Sequence, residues 1–438
     1  MPAIRPPIAG EIRVTIGVAA PLAAANLAQM AMQVTNAVMV GHLGAVPLAA
    51  AGLGNALNST LLMTSMGLLT AVALAAPMMA TLLLLSPLLG GLGYEAGLVA
   101  EIRSFLWAIC WGVPGFLAAA VLRFQLTAAF RTRVVMVVPI MAVPLNLILN
   151  WVLIFGRWGL PALGSAGSGC ATAIVQWLTL ASFAAYMLVA KAAISPRIGR
   201  GVLRQIPGIL RLGLPIAAMR GLEIGMFVMT GVLMGVIGAD ALGTHQLVFN
   251  VAGVAFMVPL GLAQAASVRV AYQLGQQKPG GAGRAGFVAL VLGGLFMLGS
   301  AVVLWTVPRL LIGFYVDLAD PGNQALIAIA LQLFVIAALF QLFDGVQVIA
   351  SGALRGYRDT TIPMVIAAIG YWAIGFAGGW LLAFPIGLGA TGLWAGLAVG
   401  LAIVAVALTV RLYSQARRHL RDAVRTTLAP SESAAISG

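Results

Sequence analysis

Charge is the first thing this sequence lacks. Its 438 residues include 24 Lys and Arg and 11 Asp and Glu, 8% charged in all, whereas soluble globular proteins carry about a quarter. So few charges cannot clothe a water-exposed surface, which excludes a soluble enzyme and a disordered chain. Cysteine is nearly absent too. Cys110 and Cys170 stand in apolar surroundings and make neither a disulfide framework nor a metal pattern. Catalytic signatures are missing: there is no Walker loop, no HExxH and no GxSxG, and His42, His245 and His419 are scattered. The chain is therefore not expected to be an enzyme or to carry a cofactor, and ATP is not its own energy source. MPAIRPPIAG at the N-terminus lacks the apolar core of a cleaved leader, and neither end carries a lipidation motif.

What is present is apolar: 61% of the residues are hydrophobic, and Val14–Tyr94 is a run of 81 residues without one charge. A spanning helix needs about 20 apolar residues, so that run alone can supply three. The chain reads as a polytopic membrane protein. Its spans are helices, because isolated strands leave backbone groups unsatisfied in lipid and the runs do not alternate as barrel strands do. Twelve apolar stretches are expected, near 14–40, 46–72, 75–92, 101–122, 134–155, 164–190, 209–237, 242–268, 286–308, 323–350, 361–384 and 388–412. They fall into an N-terminal six-helix lobe (1–190), a basic linker (191–208), a C-terminal six-helix lobe (209–412) and a tail (413–438).

A net charge of +13 would suit nucleic acid if it formed one basic face, but the cations are scattered in short clusters between apolar stretches. Those clusters suit lipid headgroups and set topology, so no nucleic-acid partner is expected. Twenty of the 24 cations lie at one side: Arg5 and Arg13; Arg123, Arg131 and Arg133; Lys191, Arg197, Arg200, Arg204 and Arg211; Arg269, Lys278 and Arg284; Arg355 and Arg358; Arg411, Arg417, Arg418, Arg421 and Arg425. The opposite gaps hold Arg103, Arg157 and Arg309 with Glu95, Asp240, Asp317 and Asp320. The positive-inside rule then places both termini in the cytoplasm, which demands an even number of spans. A multi-pass protein of the cell inner membrane is expected.

The chain also repeats itself. Pro21–Leu48 laid on Pro215–Leu242 at an offset of 194 gives ten identities in 28 positions, among them Pro21/Pro215, Gly41/Gly235 and Gly44/Gly238. Pro87 and Tyr94 match Pro308 and Tyr315 at 221, and Arg131 matches Arg355 at 224. Two parallel six-helix halves follow, an arrangement typical of secondary transporters. The offset jump means that the first half lacks 27 residues between its second and third spans. A shortened third helix of about 17 residues is expected, because losing a whole span would invert the charge pattern after it.

Only Arg220, Glu223 and Asp344 fall inside expected spans away from their ends. A charge at mid-membrane costs at least about 2.5–3.5 kcal/mol, so such residues are candidates for function. A carboxylate in a cavity can take a proton or bind a cation, and two of them facing one cavity can exchange H⁺ or Na⁺ for a cationic substrate. Arg220 and Glu223, at i and i+3, also suit a structural ion pair. Gln341 and Gln347 flank Asp344 at helical spacing and suggest a polar cavity face. Tyr371 and Trp372 suit stacking on an aromatic cation or interfacial anchoring. His245 with Gln246 reads as a hydrogen-bonding pair between helices, and Gln29 and Asn250 are further polar candidates in spans 1 and 8. The methionines of spans 1 and 7 read as packing.

Four segments carry a family resemblance: 21–50 (PLAAANLAQMAMQVTNAVMVGHLGAVPLAA), 211–227 (RLGLPIAAMRGLEIGMF), 244–275 (THQLVFNVAGVAFMVPLGLAQAASVRVAYQLG) and 340–360 (FQLFDGVQVIASGALRGYRDT). They resemble the multidrug and toxic compound extrusion (MATE) family, its NorM-type branch in particular. The resemblance implies two pseudo-symmetric six-helix bundles around a cleft, exporting organic cations in exchange for H⁺ or Na⁺. It implies that Glu223 and Asp344 are second-lobe cation-site carboxylates, with Na⁺ there as the one metal to expect. The sequence departs from the family pattern in the first lobe. VTNAVMVG puts Asn36 where an acid usually stands, LNLIL runs to Asn150 where some relatives carry another, and the loop between helices 2 and 3 is cut short. Asn36, Asn146, Asn150 and Thr172 can still coordinate through oxygen, but none titrates. The reading is an alternating-access antiporter, expected to act as a monomer in the bilayer on small organic cations. Its rivals are a lipid-linked precursor flippase, which needs a cationic cleft, and a degenerate non-transporting member.

Overall fold

The computed structural model describes residues 8–43, 75–91, 96–190 and 201–435, with positions 47, 50, 51 and 58 between the first two segments. Among the described residues all regular structure is helical, as lipid requires of a chain with no closed barrel. Nine helices among the described residues are long and apolar enough to cross a membrane, ten if one bent pair is counted. Most of the expected second span, 46–72, lies outside the described residues.

The helices are α1 (Ile8–Gly41), α2 (Ala75–Gly91), α3 (Ala96–Cys110), α4 (Val113–Ala128), α5 (Thr132–Phe155), α6 (Ser165–Val189), α7 (Gly201–Ile237), α8 (Ala239–Gly275), α9 (Pro279–Thr306), the short α10 (Pro308–Gly313), α11 (Gln324–Gly356), α12 (Thr361–Ala383) and α13 (Gly389–Ala435). The shortened third span is present as α2, with 17 residues. Three expectations need correction. The single fourth span becomes two helices, with Val99–Cys110 and Val113–Ala128 bent by 44°. The linker ends early, because α7 already begins at Gly201. The tail is helical as far as Ala435 in continuation of the last span.

The bend has a local cause. Pro114 stands in the first turn of the second helix, where its missing N–H costs nothing, and Gly112 precedes it at the cap. A Cβ on Gly112 would meet Cα of Ala173 on α6 at 2.8 Å, so only glycine lets the chain turn this close to its neighbour. The break frees the carbonyl of Trp111, and the Trp177 indole N–H donates to it at 2.9 Å. A backbone group that lipid cannot satisfy is thereby paired.

By contacts the chain divides into two compact units, Ala24–Gly221 and Met1–Ala23 with Leu222–Gly438. Their boundaries fall inside α1 and α7 rather than in the expected linker, a few residues beyond the repeat-related Pro21 and Pro215. In the first unit α6 packs on α3, α4 and α5. Small residues allow it: Cβ atoms on Gly167 and Gly169 would lie 2.6 Å from Leu153 O and 2.8 Å from Ala108 Cβ. Phe105, Leu106 and Leu117 fill the core beside them.

In the second unit α11 is the central helix, packed on α8, α9 and α13. Gly352 makes one close crossing, since a Cβ there would come within 2.3 Å of the Ala263 carbonyl oxygen on α8. Glu11 and Arg269 form a buried two-oxygen ion pair, with the guanidinium bonding Oε1 and Oε2 at 2.7 Å each. Arg269 was expected among the headgroup-facing cations. Instead it is 7% exposed within α8 and ties the start of α1 to it. Removing one partner of such a pair costs about 3–5 kcal/mol.

Candidate functional site

Asp344 sits in the middle of α11 and is buried, 7% exposed. Gln347, one turn on, donates from Nε2 to Asp344 Oδ1 at 3.1 Å. Its other end accepts from the Tyr371 hydroxyl at 2.9 Å. Carboxylate, amide and phenol thus form one chain, and the amide orientation is set from both sides. Gln341, expected on the same polar face, turns away and donates to Ser300 Oγ on α9 at 2.9 Å.

Tyr371 and its neighbour Trp372, both expected on this span, come from a stretch whose winding the sequence reading missed. Residues Ile369–Phe376 of α12 are wound as a π-helix, a form that recurs at functional sites. Its glycines make it possible. A Cβ on Gly400 of α13 would lie 2.6 Å from the Gly370 carbonyl oxygen, so the wide turn presses directly on its neighbour's backbone. The signal in the sequence was the recurrence of Gly370, Gly375 and Gly379 opposite Gly396 and Gly400.

The wide turn also reaches α7. The Trp372 indole N–H donates to the Leu222 carbonyl at 3.1 Å, and a Cβ on Gly225 would meet the ring at 3.2 Å. Leu222 directly precedes Glu223, which is buried at 7% exposed. Tyr371 and Trp372 therefore tie together the two helices that carry the acids. Arg220, one turn before Glu223, is half-buried.

His245 is buried and takes no part in that chain. It stacks on Phe249, with ring centroids 6.0 Å apart, and meets Trp394 edge-on at 5.7 Å. Phe340 joins Trp394 at 5.3 Å and Phe227 at 5.9 Å. Sequence reasoning missed this aromatic cluster, because its five rings are spread over four helices, from Phe227 to Trp394 in the chain. Gln246 points elsewhere and is exposed, as is Asn250, whose Nδ2 donates to the Gln246 carbonyl at 2.8 Å. The expected pairing of His245 with Gln246 between helices is not what these contacts form.

The first unit gathers the other polar candidates. Asn36 on α1 donates from Nδ2 to Thr172 Oγ1 on α6 at 3.0 Å. Asn150 on α5 donates to Asn36 Oδ1 at 2.9 Å and to the Asn146 carbonyl at 2.8 Å. All three asparagines are buried, and the side-chain oxygens of Asn146 and Asn150 accept no hydrogen bond among the described residues. The four residues form one neutral oxygen-rich cluster. Gln29 lies apart from it and accepts from Arg123 Nη1 at 3.1 Å. Arg123 was expected in a cytoplasmic gap. It stands inside α4, five residues before the helix ends, because its single charge closed the apolar run too early in the sequence. Among the described residues no three His, Cys, Asp or Glu side chains group to hold a metal.

The MatE family matches residues 21–77, 70–152 and 215–381. The chain is 39% identical over 440 residues to the probable multidrug resistance protein NorM of Mesorhizobium japonicum, covering 92% of this chain and 93% of that one. It is 40% identical to the multidrug resistance protein NorM of Burkholderia vietnamiensis, covering 91% and 93%. The fold is similar to that of the eukaryotic MATE transporter AtDTX14, with a TM-score of 0.81 at 21% identity over 95% of this chain and 99% of that one.

Proposed function

Because the chain belongs to the multidrug and toxic compound extrusion family, we propose that it is an antiporter exporting cationic amphipathic compounds in exchange for H⁺ or Na⁺. Glu223 and Asp344 carry the coupling. The observation that bears most weight is the buried chain Asp344–Gln347–Tyr371, linked through Trp372 to the backbone beside Glu223. A buried carboxylate is costly when charged, so a proton, Na⁺ or an organic cation can each offset that cost. Occupancy by one excludes another, and that competition is what exchange requires. The cluster Asn36–Asn146–Asn150–Thr172 is neutral and has no titrating group, which supports proton coupling through the second half.

The coupling ion biases the equilibrium between outward- and inward-open states by binding one of them more tightly. The two compact units, Ala24–Gly221 and Met1–Ala23 with Leu222–Gly438, supply the moving bodies in this reading. The asymmetry of the cations supports an inner-membrane location with cytoplasmic termini. Asp344→Asn should abolish gradient-driven efflux of ethidium from everted vesicles, while membrane insertion stays normal. Undiminished efflux by that variant would sink the assignment. Imposing pH and Na⁺ gradients separately on the same vesicles identifies the ion.

A further inference from the structure

The two halves of the repeat differ in polarity at matching positions. At the offset of 194, Asn26 and Gln29 correspond to Arg220 and Glu223. At the offset of 224, which pairs Phe116 with Phe340, Arg131 with Arg355 and Pro139 with Pro363, Ala120 and Arg123 correspond to Asp344 and Gln347. The second half thus has two carboxylates where the first has Gln29 and Ala120. In the first half the charge of this constellation is the Arg123 guanidinium.

Among the described residues that guanidinium makes two side-chain hydrogen bonds. Arg123 Nη1 donates to Gln29 Oε1 at 3.1 Å and Nη2 to Asn26 Oδ1 at 2.8 Å. Both acceptors are neutral amide oxygens, and no carboxylate pairs with Arg123 among the described residues. A guanidinium has five N–H groups, so most of its donors remain. Asn26 adds a second, independent sign. It is 4% exposed, its oxygen is held by Arg123, and its Nδ2 finds no acceptor among the described residues. This N–H pair sits on the same amide that Arg123 grips, hence beside the guanidinium. Among the described residues the open valences are all donors around one positive charge that no described carboxylate compensates. A planar oxyanion fits them, since a carboxylate takes two parallel N–H bonds from a guanidinium.

We propose that Arg123, Asn26 and Gln29 form an anion site that takes the carboxylate of a zwitterionic amphipathic substrate. This rests on the export reading above and names a substrate class for it. Arg123 and Asn26 Nδ2 hold the carboxylate, while Gln29 orients the guanidinium through its oxygen. The site would admit substrates carrying both charges alongside purely cationic ones.

Rhodamine B, which carries a free carboxylate, and its methyl ester share one xanthylium cation and test the site directly. Everted vesicles bearing the full chain should accumulate both dyes. Arg123→Gln should lower rhodamine B transport by about tenfold, as loss of a charge-assisted contact implies, and leave the ester within about twofold. Arg123→Lys should retain an intermediate rate for rhodamine B, because it keeps the charge and loses the fork. A parallel fall for both dyes, or no change for either, overturns the proposal. Wild-type transport of the ester alone overturns it too and leaves the export reading standing. Binding of rhodamine B to the purified protein, followed by fluorescence anisotropy, separates the two claims. Arg123-dependent binding without transport of either dye would uphold the site and refute export, whereas Arg123-independent binding refutes the site.

Discussion

At the scale of single residues, the second-half site depends on one amide held from both ends. Gln347 donates to Asp344 and accepts from Tyr371. Tyr371→Phe removes the donor and leaves a buried oxygen unsatisfied, a cost of about 1–3 kcal/mol. Efflux by that variant should fall short of wild type while exceeding that of Asp344→Asn. Rates equal to wild type would mean that the amide needs no support from the phenol. In the first half, Asn36 accepts from Asn150 and donates to Thr172. Asn36→Asp keeps the acceptor, and the Thr172 hydroxyl can turn to donate to it. The variant should insert and export, with its efflux acquiring a steeper pH dependence. Loss of folded protein on that substitution would show that the cluster tolerates no charge. Glu223 and Asp344 were legible in the sequence because an acid inside an apolar run stands out. Arg123 was not, because a cation near the end of a run looks like the end of the run.

At the scale of elements, most helices could be read from apolar length, including the 17-residue α2 from the repeat arithmetic. The irregularities could not. The bend between α3 and α4 needs Ala173 across from Gly112, and the wide turn of α12 needs Gly400 across from Gly370. Both depend on a partner more than 25 residues away, so no local window reports them, although the glycines and Pro114 mark where to look. These close approaches are also vulnerable. Gly400→Val puts a branched side chain where a Cβ alone would lie 2.6 Å from the Gly370 oxygen. Overpacking of this kind costs about 1–3 kcal/mol. The melting temperature in detergent should drop, and because Tyr371 and Trp372 ride on the same turn, efflux should drop with it. A lower melting temperature with wild-type efflux would separate the wide turn from function.

At the scale of the whole molecule, the fold class followed from composition, charge placement and the repeat. The contacts divide the chain within α1 and α7, positions that no shift in composition or charge marks. The neutral first-half cluster and the acidic second-half chain make the two halves unequal in what they can exchange. On the proposed reading coupling belongs to the second half, and substrate displaces its ion there. The direct measurement is ion release on substrate binding to the purified protein. Ethidium added to wild-type protein in weakly buffered detergent should release H⁺, or Na⁺ in a Na⁺-loaded sample. Asp344→Asn should release neither, and Asn150→Ala should release as much as wild type. Release that persists in Asp344→Asn, or that disappears in Asn150→Ala while the protein stays folded, would contradict the assignment of coupling to the second half.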